Sequence, residues 1–394
     1  MKRALVLAGV VMVQQVASLQ LQPPKLSTLS QQPLSPPELG TAPLSVPEPD
    51  KKLRWNLGKI AFSLLPLAPG DRRKTMEEEV VPGKVWTHDQ VQGVVNVNVP
   101  VRQTVIKLKS GGLWVHNPVA PTMEHLEMIR ALEAKHGTVE HIVLGTVGLE
   151  HKALAGPFAR MFPKAQVWLQ PGQWSFPVAL PNALFGFPGR TKTLPKDPAE
   201  VPWADEIDYA MLGPFKFKSV GNFGETAFFH KDTSTVLVTD TIVKVEEDPP
   251  GIIQEDPRAL LFHARDYATE EVADSKANRE KGWRRMVQFG LIFFPSSIEV
   301  SGVGEALADS RDVPESMKPL GTGAVPLNLY PWRWERDDVE SFKALRNSGG
   351  NPAGILVAPI LQKLILDREP DMVLDWVNEV SWASLDPVSP LLVQ

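Results

Sequence analysis

The stretch His141-Ile142-Val143-Leu144-Gly145-Thr146-Val147-Gly148-Leu149-Glu150-His151-Lys152 decides how this chain folds. His141 to Leu144 ends in a run of large aliphatic residues, the pattern of a buried strand. Gly145 and Gly148 mark a loop after it, and the charged triplet Glu150-His151-Lys152 follows. Pro157 to Phe162 reads as helix, and Gln166 to Leu169 as the next strand. A strand, a glycine-containing loop, a helix and another strand make an α/β unit.

The same alternation extends in both directions. Val94 to Val101 alternates apolar and polar residues, as a half-buried strand does. Thr104 to Leu108 and Leu113 to His116 flank Ser110-Gly111-Gly112, a hairpin signal. Thr122 caps a helix over Met123 to His136, with Leu126, Ile129 and Leu132 on one side and Gly137 as its stop. Glu225 to His230 and Thr235 to Thr239 read as a hairpin closed by Lys231-Asp232-Thr233-Ser234. Helices are expected around Thr269 to Val287, Arg336 to Arg346, Leu356 to Leu366 and Met372 to Ala383. The expected fold class is α/β with layered sheets, in a single two-lobed domain over residues 71–394.

Composition narrows the chemistry. The chain has 394 residues, 43% hydrophobic and 22% charged, as a soluble globular protein does. Its formal net charge of −5 does not favour a nucleic-acid partner. With no cysteine, thiolate metal sites, disulfides and cysteine nucleophiles are excluded, so a metal would need the 8 His and the carboxylates. No Gly-x-Gly-x-x-Gly follows a strand, and neither a P-loop nor a Gly-x-Ser-x-Gly elbow is present.

Lys2 and Arg3, the apolar run Ala4 to Val13 and the small residues Val16-Ala17-Ser18 read as a signal peptide over residues 1–19. The alternative is a first strand or buried helix. Residues 20–70 form a Pro/Ser-rich, transit-like or linker segment without sustained period, expected to be disordered. Together the two resemble the bipartite plastid presequences of algae with complex plastids, with Leu19 where Phe is usual. Plastid targeting is the expectation, and the secretory pathway the alternative. No run in the body is long and apolar enough to suggest a transmembrane span.

The opening stretch resembles the metal loop of metallo-β-lactamase-fold hydrolases, a His-x-His-x-Asp-His loop after a buried strand. Laid on that pattern, Thr146 and Gly148 stand where the first two His would be. Glu150 replaces the Asp, and His151 remains. Gly221-Asn222-Phe223 falls where the family has Gly-His-Thr, so Asn222 replaces the third His, while Asp240 matches the bridging carboxylate. No His follows Trp382. More narrowly, the chain resembles the domain of unknown function 4336 family. The resembling segments are Arg72-Arg73-Lys74-Thr75, Val80-Val81-Pro82-Gly83-Lys84-Val85-Trp86-Thr87, Pro100-Val101-Arg102-Gln103-Thr104 and Glu150-His151-Lys152. Gly156-Pro157-Phe158-Ala159, Pro171-Gly172-Gln173-Trp174-Ser175, Val357-Ala358-Pro359-Ile360-Leu361 and Asp375-Trp376 follow. The resemblance implies a metallo-β-lactamase-like αββα sandwich with a degenerate metal motif and no assigned activity.

Two functional readings follow, the first the expectation and the second its alternative. In the first, Lys152 pairs with Glu150 or Asp240, the cluster neutralises itself, and the protein binds a small molecule or a protein partner without dinuclear metal hydrolysis. In the second, Glu150, His151 and Asp240 hold one Zn, Fe or Mn ion in a hydrolase or other enzyme, one imidazole and two carboxylates being a known ligand set for those metals. Glu150, His151, Lys152 and Asp240 are the candidate catalytic residues, and Thr146, Gly148, Asn222 and Trp174 the candidate pocket. His116, His125, His136 and His141 are read as core or surface histidines, and His263 as a residue that could reach the pocket. The basic run Lys276, Arg279, Lys281, Arg284 and Arg285 is read as a solvated face, with an anionic membrane surface as the minor alternative.

Overall fold

The computed structural model describes residues 72–94, 96–173, 180–217, 221–291, 298–320, 332–334, 338–350, 353–380 and 391–393, together with Arg54, Pro69 and Tyr330. The expected signal peptide, and all of residues 20–70 except Arg54 and Pro69, lie outside them.

The first sheet contains β1 (Met76–Val81), β2 (Val85–Val94), β3 (Val97–Lys107) and β4 (Leu113–His116). Helix α1 (Met123–His136), β5 (Val139–Leu144), α2 (Leu149–Met161), β6 (Gln166–Leu169) and β7 (Thr191–Thr193) follow. These seven strands lie in sequence order across the sheet. Pairing is antiparallel from β1 to β4 and parallel from β4 to β7. The second sheet is built from β8 (Ile207–Phe217), β9 (Gly221–His230) and β10 (Thr235–Leu237), with the C-terminal strand Leu391–Val393 beside β10.

The remaining elements are β11 (Ile242–Lys244), α3 (Gly251–Gln254), α4 (Arg258–Ala264), α5 (Lys276–Gly290), β12 (Ile298–Val300) and α6 (Val303–Asp309). Then come β13 (Trp332–Trp334), α7 (Asp338–Asn347), β14 (Ile355–Val357), α8 (Pro359–Leu364) and α9 (Pro370–Val380). Two small antiparallel pairs, β11 with β14 and β12 with β13, complete the topology.

Three cores stack these elements into layers. Val105, Val115, Ile142 and Leu144 pack with Leu126, Ile129 and Phe158, which places α1 and α2 on one face of the first sheet. Ile106, Trp114, Val143 and Trp168 face the other way and meet Ile207, Tyr209, Phe228 and Leu237 of the second sheet. Ala210, Leu212, Ala227 and Val236 point out of that sheet and pack with Leu260, Trp283, Met286 and Trp376. The order is helix, sheet, sheet, helix, the expected αββα sandwich. Alternation along β5 is the cause, since Val143 faces one core while Ile142 and Leu144 face the other.

Most sequence expectations hold, and α1 has the expected bounds. Its N-cap Thr122 side chain accepts from His125 N at 3.1 Å, and Gly137 ends it at a φ of 100°. Four expectations are corrected. Val94 to Val101 is not one half-buried strand. Asn96, at a φ of 64°, turns the chain between β2 and β3, and β3 is buried on both faces over residues 97–101. The helix expected from Thr269 begins at Lys276, where the Ser275 side chain accepts from Asn278 N at 3.2 Å. Residues 356–366 are not one helix. Ile355–Val357 pairs with β11, and Ala358 is extended because Pro359 disfavours a helical residue before it, so α8 starts at the proline. The helix expected from Pro157 begins at Leu149 and carries Glu150, His151 and Lys152 in its first turn.

Candidate metal centre

The site forms where the end of β5 meets β9. Beyond Leu144, Thr226 N donates to Gly145 O at 2.7 Å, and Val147 N donates to Gly224 O at 3.1 Å. Thr146 bridges to Glu225 between them. The loop that resembles the metal motif is thereby fastened to the second sheet. Asn117, at the end of β4 with a φ of 44°, ties it to a further segment. Its side-chain oxygen accepts from Gly145 N at 2.9 Å, and its amide donates to Thr239 Oγ1 at 2.8 Å. Thr239 precedes Asp240 in the bend between β10 and β11. Gly145 permits this crowding, because a Cβ there would lie 2.7 Å from His116 Nε2 and 2.9 Å from the Phe228 ring.

These ties bring Glu150, His151 and Asp240 together. One ligand atom from each lies within 4.8 Å of the other two, and all three residues are buried. His151 Nε2 is 3.9 Å from Asp240 Oδ1. Thr146 Oγ1 donates to Asp240 Oδ2 at 3.3 Å and accepts from Gly148 N at 3.0 Å. Glu150 Oε1 and Asp240 Oδ1 are buried without a hydrogen-bond partner. Two orphaned carboxylate oxygens beside a buried imidazole are acceptors without a donor, a costly arrangement unless a cation sits among them.

The electrostatics agree. Burial pushes the Glu150 carboxyl up to about 7. Burial raises Asp240 well above the carboxylate range, and the charges of Glu150 and Glu225 raise it further. Burial also raises Glu225, against the four hydrogen bonds it accepts from residues 239–241. His151 is pushed down to about 3 by burial, so it is neutral, the form that ligates metals.

The structure separates the candidate residues. Lys152 is buried in the first turn of α2. Its Nζ lies 4.9 Å from the centroid of the Phe185 ring, and burial alone lowers it to about 8. The charges acting on Asp240 are acidic. Thr146 positions Asp240, and Gly148 caps the N-terminus of α2. Asn222 donates to Gly172 O at 3.0 Å, so it pins the turn after β6. Trp174 lies outside the described residues. His263 is buried in the helical layer and contacts Asn96 O at 3.1 Å. In the basic run of α5, Lys276 is exposed beside Glu280, and the others are paired: Arg279 with Asp274, Lys281 with Asp266, Arg284 with Asp338, and Arg285 with both Asp266 and Asp338. No helix among the described residues is long and apolar enough to cross a membrane.

Sequence reasoning missed Asn117 and Glu225, while His116 is a core histidine, as one of its two expected readings had it. His116 is buried, its Nε2 has no partner, and its Coulombic coupling to His151 places it beside the cluster. A usable signal existed for Glu225, a lone carboxylate inside the run Phe223-Gly224-Glu225-Thr226-Ala227-Phe228-Phe229.

The sequence matches the model of one protein family, described as Domain of unknown function (DUF4336), over residues 82–390. No curated protein matches the chain. Among solved structures it is similar to a metallo-beta-lactamase from Pontibacter korlensis, at 13% identity over 42% of this chain and 70% of that one, with a TM-score of 0.30. It is also similar to the DIM-1 metallo-beta-lactamase, at 9% identity over 56% of this chain and 84% of that one, with a TM-score of 0.32. The metal-soaked Flv1 flavodiiron core from Synechocystis sp. PCC6803 is similar at 10% identity over 49% and 50%, with a TM-score of 0.29. The layer order stands on this chain's own cores rather than on these likenesses.

Proposed function

Because the chain belongs to the DUF4336 family, a domain of unknown function, its role must be read from its own site, and we propose that Glu150, His151 and Asp240 hold one divalent transition-metal ion. The observation that carries this reading is the pair of buried, unpartnered oxygens, Glu150 Oε1 and Asp240 Oδ1, within ligand range of the neutral His151. Two carboxylates balance a divalent charge, and the donor set suits Zn, Fe or Mn. When bound, such an ion supplies Lewis-acid polarisation of an oxygen-bearing substrate group, and hydrolysis is the reaction class that this chemistry serves. Thr146 orients Asp240 through its hydroxyl, and Asn117 holds the β5 loop and the Asp240 bend at a fixed separation. Thr146, Gly148 and Asn222 bring no imidazole, so a dinuclear centre like that of the resembling hydrolases is not part of the proposal. The other reading, a metal-free binding protein with a self-neutralised cluster, has less support, because the charges that raise Asp240 are those of Glu150 and Glu225.

Thermal melting tests the proposal. Protein stripped with a chelator should gain several degrees on addition of Zn²⁺, Mn²⁺ or Fe²⁺, since a ligand at one hundred times its Kd stabilises by about 2.7 kcal/mol. His151→Ala should abolish the gain. A wild type whose melting is unmoved by all three ions would refute the reading.

We further propose that residues 71–394 form one two-lobed domain, supported by the core that joins the second sheet to α4, α5 and α9. Plastid targeting by residues 1–70 rests on their sequence pattern alone. A fluorescent reporter carrying those residues should enter the plastid of an alga with complex plastids, and a cytosolic signal would overturn that assignment.

A further inference from the structure

Glu225 is fully buried in β9, between Gly224 and Thr226. A carboxylate is retained in such a place only when its oxygens find donors. Its Oε1 accepts from Thr239 N at 2.7 Å. Its Oε2 accepts from Asp240 N at 2.8 Å, Thr241 N at 2.8 Å and Thr241 Oγ1 at 2.7 Å. Three consecutive backbone N–H groups therefore converge on one side chain, and the bend that carries Asp240 is wrapped around it. Both oxygens are engaged, and the residue stands outside the group whose ligand atoms lie within 4.8 Å of one another. Glu225 therefore does not serve as a ligand. What it governs is the backbone from which Asp240 projects.

Resting on the metal reading above, we propose that Glu225 is a positioning residue for Asp240, and that cation affinity at the cluster depends on this carboxylate although it does not touch the ion. Two observations beyond the clamp point the same way. The backbone of Glu225 bridges to Thr146, the residue whose hydroxyl donates to Asp240, so one residue fixes both sides of the Asp240 carboxylate. Asn117 also reaches only Thr239, one residue before Asp240, which leaves the bond to Asp240 N and those to Thr241 to Glu225 alone among the described residues. Glutamine cannot reproduce the clamp. One of its two terminal atoms is an N–H donor, which would face either Thr239 N–H or the Thr241 donors. Loss of a partner that orients a metal ligand costs 10- to 100-fold in affinity as a rough rule.

The test uses the full chain and Co²⁺ as the probe, with affinity from titration and ligand geometry from the visible absorption of bound Co²⁺. Wild type should bind one equivalent. Glu225→Gln should bind about 10-fold more weakly or worse, with a shifted visible band, while its metal-free far-ultraviolet circular dichroism stays that of wild type. A purely structural role would lower melting without moving the spectrum of bound Co²⁺. Thr241→Val removes a single donor and keeps the proposal falsifiable if Glu225→Gln does not fold. It should weaken Co²⁺ about threefold, and unchanged affinity in the folded variant would overturn the positioning role. Wild-type affinity and spectrum in folded Glu225→Gln would overturn it as well, leaving the metal reading intact. A wild type that takes up no Co²⁺ would sink that reading and the positioning role with it.

Discussion

Asp240 shows what the cluster demands of the fold. Its carboxylate is buried beside Glu150 and Glu225, and those charges oppose its ionisation. Without a cation this is a local conflict of like charges, the kind of defect found at functional sites rather than in cores chosen for stability. Asp240→Asn keeps the shape and removes one charge. The metal-free variant should melt about 2 °C or more above metal-free wild type in calorimetry, and it should no longer be stabilised by added ions. A metal-free variant that melts lower would mean the charge is already balanced within the protein. Residue by residue, the sequence pointed to Glu150, His151 and Asp240, because ligand types survive at the positions of a familiar pattern. It could not place Lys152. On a helix, the residue after a ligand points elsewhere by about 100°, and here it meets Phe185. Glu225 stands out in the sequence as a lone carboxylate, but its clamp does not, because three of its four partners are backbone N–H groups that carry no residue code.

At the scale of elements, α2 is the piece that presents the site. It is buried from Glu150 to Ala159, so it carries no polar stripe, and the start of the helix was not readable from periodicity. α1 has a one-sided apolar face, a Thr cap and a Gly stop, and was read to the residue. The fit of α2 depends on Gly156. A Cβ there would lie 1.8 Å from Phe185 O, a backbone atom that cannot swing aside. Gly156→Ala should therefore destabilise the protein by about 1–3 kcal/mol in urea unfolding, although alanine is the better helix former. It should also weaken ion binding, because α2 must shift to relieve the contact. A variant as stable as wild type would show that the helix has room to move. β14 and α8 teach a related lesson: Ile355–Val357 has the composition of either element, and its pairing with β11, distant in sequence, selects strand.

At the scale of the whole molecule, two sheets and their helices enclose most of the histidines as neutral rings. Burial holds His116, His151 and His263 at about 3, His141 and His230 at about 4, and His125 well below its usual value. The unfolded chain protonates these groups below about pH 6.5, and the folded chain does not. Their contribution is complete above that pH and is lost as pH falls towards 3–4, at up to about 1.4 kcal/mol per pH unit for a fully buried ring. The raised carboxyls Glu150, Asp240 and Glu225 act oppositely, since the folded state takes up their protons first as pH falls from about 7. The imidazoles outnumber them, so the urea midpoint should drop between pH 7 and pH 5. A flat or rising midpoint across that interval would show that the rings are charged in the folded state. The order of strands and helices in the sequence pointed to α/β with layered sheets, and the αββα order was what the family resemblance implied. The joining of β9 to the β5 loop was not legible there, because it is made by main-chain bonds between segments far apart in the chain. On the proposed metal reading that junction holds one ion, and elemental analysis of the purified protein tests this most directly. One equivalent of a transition metal per chain, lost in both His151→Ala and Asp240→Asn, is the predicted result. A metal-free wild type that also fails to retain Zn²⁺, Fe²⁺ or Mn²⁺ after dialysis would contradict it.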